Sequence, residues 1–64
     1  MKTLKEELKR NGYTLQQTAE ELGITYRTLW RKMGYQDEYK LSEIQKLSEL
    51  TGIPINELVL IKQR

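Results

Sequence analysis

"TLQQTAEELGITYRTLWRKM", residues 14–33, keeps helical spacing throughout except at Gly23, which stands between Leu22 and Ile24. Before the interruption, Leu15, Ala19 and Leu22 fall at i, i+4 and i+7, the period of one buried helix stripe. Thr14 is placed to cap that helix, with Gln17 where a capping box wants Glu or Gln. After the interruption, Thr25 caps a second helix whose apolar stripe is Leu29 and Met33. A left-handed backbone is easiest without a Cβ, so Gly23 ends the first helix and permits an immediate restart. The spacing predicts helices at about 15–22 and 26–33, with the small Ala19 letting the second cross closely and Ile24 and Leu29 locking the two. Such a pair crosses at about 90–120° and leaves its second helix projecting.

Working outward, Thr3 caps a first helix of about 4–11, with Glu6 completing a capping box and standing four residues before Arg10. Leu4 and Leu8 share its buried face, and Asn11-Gly12 ends it. "GYQDEYK", residues 34–40, has no apolar period and reads as a surface loop. Leu41, Ile44, Leu47, Ser48 and Thr51 then trace a helix over 41–51 that stops at Gly52, with Leu47 and Leu50 as core and its margin. The small Ser48 leaves room for a neighbouring helix. Ile53 precedes Pro54 and is therefore extended. A short fifth helix at about 55–60 closes over the core through Ile55 and Leu58, while the tail "VLIKQR" fits either helix or strand. The fold class expected is all-α, five helices in one domain over residues 1–64.

Composition narrows the chemistry. The 64 residues include no cysteine and no histidine, which removes disulfides, thiolate ligands and the commonest general base. The adjacent Glu20 and Glu21 diverge by about 100° on a helix and do not converge on a substrate, and Asp37-Glu38 sit in a loop without partners. No phosphate cradle or metal spacing appears, so neither an enzyme nor a cofactor, metal or small-molecule ligand is expected. Met1–Arg10 is too charged for a secretory signal and no apolar run approaches the roughly 20 residues that span a bilayer. The expected location is intracellular, in the cytoplasm. The net charge is only +2, yet residues 25–33 hold Arg27, Arg31 and Lys32 with no acid, leaving eight cations against nine anions elsewhere. One basic face on a balanced domain is the footprint of a nucleic-acid binder. Lys2, Lys5, Lys9 and Arg10 are interleaved with Glu6 and Glu7 and read as a solvated helix face. Trp30 reads as a packing group against the loop that holds Tyr35 and Tyr39.

The quoted stretch resembles the helix-turn-helix of the Cro and lambda-repressor-like regulators (phage-type, XRE-like), and "RTLWRKM" is also similar to the closing helix of Fis-type domains. "EYKLSEIQKLSELTGIPINEL" is similar to the two packing helices that follow in small phage-type repressors, so the likeness runs from Leu4 to about Leu58. It departs at Leu15, where that family commonly has a glutamine that holds phosphate. The resemblance implies a compact five-helix lambda-repressor-like DNA-binding domain whose second motif helix reads base edges with Thr25, Tyr26, Arg27 and Arg31. Thr14, Gln16 and Gln17 would hold phosphate, with Lys32, Tyr35 and Lys40 as lesser candidates. The function implied is a sequence-specific double-stranded DNA-binding regulator, a phage or mobile-element repressor acting by operator occupancy. A single helix covers few base pairs, so a homodimer on a pseudo-palindromic operator is expected, joined through Val59, Leu60 and Ile61. The competing class is a protein-binding module, an antirepressor or adaptor on the same scaffold, which has no need of three cations without an acid.

Overall fold

The computed structural model describes residues 3–35 and 38–63. Five helices form: α1 Leu4–Arg10, α2 Leu15–Leu22, α3 Tyr26–Gly34, α4 Leu41–Thr51 and α5 Ile55–Leu58. They fill an envelope of 25 × 25 × 18 Å. Leu4 and Leu8 of α1, Ala19 of α2, Leu29 and Met33 of α3, Leu47 and Leu50 of α4 and Leu58 of α5 make one core. The all-helical architecture follows from the apolar periods, and each expected helix is present.

The α2–α3 turn forms for the reasons its residues suggest. Thr14 and Gln17 make a full capping box, each side chain bonded to the other's backbone amide at 3.0 Å. Gly23 adopts φ 73° and donates to the Glu20 carbonyl, while Ile24 donates to that of Ala19. These are the two bonds that close a helix C-terminus around a left-handed residue. Ala19 has no exposed surface, and Ile24 packs against the core beside it. Thr18 is also fully buried, which the apolar stripe did not anticipate; its hydroxyl donates to the Thr14 carbonyl at 2.8 Å, so no polar atom is stranded.

Several details differ from the expectation. Leu41 is 68% exposed because it lies six residues before Leu47, about 120° around the helix, so the inward stripe takes Glu43 instead. Ile55, opening α5, is also exposed, and Leu58 alone carries that helix into the core. Ser48 also has a polar task, since its hydroxyl donates to the Ile53 carbonyl at 2.7 Å and fastens the chain beyond Gly52. Arg10 pairs with Glu7 at 3.4 Å rather than with Glu6, whose carboxylate accepts from the Thr3 hydroxyl. Helix α5 stops at Leu58, two residues early, and the amides of Leu60 and Ile61 both donate to the Glu57 carbonyl in the turn that follows. The tail is then neither helix nor a full strand. It runs extended beside the start of α1, with a single parallel bridge between Thr3 and Lys62. The first amides of a helix lack partners of their own; here Leu4 donates to Lys62, Lys5 to Gln63, and Glu6 to the Thr3 hydroxyl. Lys2, Asp37 and Arg64 lie outside the described residues.

Ala19→Leu inserts three carbons where the helices cross and is expected to cost about 1–3 kcal/mol of folding stability. Urea unfolding followed by circular dichroism checks this, and an unchanged midpoint would show that the crossing is not closely packed.

Candidate nucleic-acid interface

Helix α3 has two faces. Leu29, Lys32 and Met33 are buried, so Arg27 and Arg31, four residues apart, share the opposite, outward face. Both arginines line a shallow hollow with Thr28, Trp30 and Tyr35. Tyr26, in the first turn, is 46% exposed. Thr25 caps the helix by accepting from the Thr28 amide at 3.1 Å and donates its own proton to the Thr28 hydroxyl. Thr25 is itself exposed, as are Tyr26 and both arginines.

At the start of α2, Thr14, Gln16 and Gln17 are exposed. Thr14 and Gln17 spend their oxygens in the capping box, which leaves the Gln17 amide nitrogen as its remaining donor. Tyr35 and Lys40 are exposed as well. Val59 and Leu60 are exposed beyond α5, whereas Ile61 packs partly against the core.

Lys32 overturns the expectation of a phosphate contact. It is 6% exposed, and its Nζ lies 2.6 Å from Oε1 of Glu43 on α4. Position 32 follows Leu29 by three, which puts it on the flank of the buried stripe. The same Glu43 oxygen accepts from the Lys40 amide at 2.8 Å, and because a lysine side chain has no acceptor this is only half of a capping box. Burial by itself would raise the Glu43 pKa, but the Lys32 hydrogen bond, the Lys40 amide and both positive charges outweigh it and hold the carboxyl below its ordinary value. Nearby, burial first and the Glu43 charge second push the Tyr39 phenol well above its ordinary value. Its hydroxyl donates to Oε1 of the buried Gln63 at 3.0 Å. The back of the arginine-bearing helix is thus tied to α4 through charge, and Tyr39 is tied to the tail.

Two residues were missed. Lys5, assigned to a solvated face, places its ammonium 5.7 Å from the Trp30 ring centroid, within cation–π range. Trp30 therefore meets α1 as well as the outward hollow, and it is not simply a cover for the loop. Glu38 has a partner after all, since its Oε1 lies 3.6 Å from Nη2 of Arg31. An i−7 spacing across a helix end carries no local signal, so the pair was invisible without the loop's path.

Among the described residues no helix is long and apolar enough to cross a membrane, and no group of three His, Cys, Asp or Glu side chains is placed to hold a metal ion. A helix pair closed by Gly23, with cations on the outward side of its second member, defines a helix-turn-helix DNA-binding domain of a transcription regulator. Residues 1–35 match the model described as bacterial regulatory protein, Fis family, and the chain belongs to that family. The match ends at the residue that caps α3, so α4, α5 and the tail lie beyond it. It agrees with the Fis-type likeness of "RTLWRKM" and is not specific to Cro-like regulators. No curated protein and no solved structure matches the chain.

Lys32→Met leaves the Glu43 charge buried without its partner, which typically costs about 3–5 kcal/mol. In the wild type, the depressed Glu43 pKa contributes stability that is present above the ordinary carboxyl value and lost as pH falls through the lower folded value. Once protonated, an unpartnered Glu43 is no longer a buried charge. The stability gap between wild type and Lys32→Met is therefore expected to be wide at pH 7 and to narrow towards pH 3, as measured by urea unfolding across that range.

Proposed function

We propose that this regulator binds a specific double-stranded DNA site through α3 and represses by occupying an operator, in the manner of a phage or mobile-element Cro-like repressor. The observation that carries the proposal is the pairing of Arg27 and Arg31 on the face of α3 opposite Leu29 and Met33. The major groove of B-DNA, about 12 Å wide, admits one helix, and an arginine fork matches guanine O6 and N7. Thr25 and Tyr26 would meet neighbouring base edges. Thr14, Gln16, Gln17, Tyr35 and Lys40 would fix the register on phosphates, a role that supplies position and not sequence. Burial and ion pairing withdraw Lys32 from this set.

One α3 reads too few base pairs for a genome, which favours a homodimer on a pseudo-palindromic operator with half-sites about 10–10.5 base pairs apart. Leu60, 85% exposed, and Val59 are the apolar groups that support self-association. Ile61, which packs against the core, contributes at most its rim.

Selection of bound sequences from a random duplex pool is expected to yield a symmetric motif containing guanine. On that motif, Arg27→Ala should lose about 1–3 kcal/mol of binding with little loss of folding stability. Binding by the wild type should weaken steeply with salt as counterions are released. An enriched pool without any motif, or partner binding that ignores salt, would favour a protein-docking role instead. Leu60→Glu should hold the protein monomeric in sedimentation at concentrations where the wild type dimerises on DNA.

A further inference from the structure

Arg31 is the outward cation of α3 that already has an acidic neighbour. Glu38 follows the end of α3, and its amide donates to the Tyr35 carbonyl at 2.9 Å, which keeps Glu38 beside the end of the helix. This brings its carboxylate to 3.6 Å from the Arg31 guanidinium, with 59% of the Arg31 side chain and 39% of the Glu38 side chain still open to solvent. A pair so exposed contributes little to stability. Its consequence lies in what Arg31 can accept next.

A guanidinium has five N–H donors in a rigid fork, so a carboxylate on one edge leaves donors for a second partner. The two partners DNA offers differ in charge. A guanine edge is neutral and can sit on Arg31 while Glu38 stays where it is. A phosphate brings a negative charge beside the carboxylate, and like charges at such range repel. Resting on the proposed DNA reading, we propose that Glu38 is a positioning residue that orients Arg31 for a guanine edge and biases it against the phosphate backbone, so that it sets specificity without touching a base.

Glu38→Gln keeps the size and removes the charge. Wild type, Glu38→Gln, Arg31→Gln and the double variant are compared by fluorescence anisotropy on the duplex selected for the wild type and on an unrelated duplex, each at several salt concentrations. For Glu38→Gln the unrelated duplex is expected to bind about 3- to 10-fold tighter, with a salt slope steeper by about 0.9, the value for one added phosphate contact. The selected duplex should change much less, so the ratio of the two affinities falls, and in the Arg31→Gln background the Glu38 substitution should change nothing. Glu38→Asp, which keeps the charge, should hold the ratio near wild type. Equal tightening on both duplexes, or the same change with Arg31 absent, would mean a general charge effect and overturn the proposal. Failure of all four proteins to bind any duplex would instead overturn the DNA reading on which it rests.

Discussion

The crossing of α2 and α3 governs the rest of the molecule. Ala19 has no bulk beyond its Cβ and is fully buried at that crossing, while Gly23 in a left-handed conformation lets the chain reverse within a few residues. Two of the capping arrangements, at Thr14 and Thr25, define where each helix begins and hence which side chains fall on which face. Because Leu29 and Met33 are committed to the core by this geometry, Arg27 and Arg31 have only the outward side left. The position of the positive face is therefore a by-product of packing.

A domain this small has little apolar surface to bury and, without cysteine, no covalent staple. It compensates partly with buried polar groups that are all satisfied among the described residues. Lys32, Glu43 and the Lys40 amide share one carboxylate oxygen, and Tyr39 reaches Gln63. Such a cluster gains little net energy over an apolar core of the same shape. What it contributes is a link between α3 and α4, since moving Lys32 away from Glu43 would strand a charge.

Much of the fold was legible because local chemistry and apolar period agree. The starts of α1, α2 and α3 fall where their caps and stripes put them, and Gly23 ends α2 as its lack of a Cβ suggests. Several of the misses involve partners that the local pattern does not show. Lys32 counted as an outward cation because composition sees charge and not the helix wheel, on which it lies beside Leu29 and Met33. Its partner Glu43 was hidden in a stretch that looked like an ordinary helix start. Glu38 and Lys5 owe their contacts to the paths of a loop and of a neighbouring helix. The tail stayed ambiguous because its bonding is set by Leu4 and Lys5, almost a whole chain length away. The exposure of Arg27, by contrast, follows from periodicity alone.

The bridge between Thr3 and Lys62 has a kinetic meaning. Every other helix draws its opening hydrogen bonds from residues close by, whereas Leu4 and Lys5 wait for carbonyls that the ribosome adds nearly sixty residues later. Bringing such distant segments together carries the largest loop-closure entropy of any contact described here, so it belongs late in assembly. Parting of that seam would leave the Leu4 and Lys5 amides without acceptors, whereas the α2–α3 turn closes on bonds of its own.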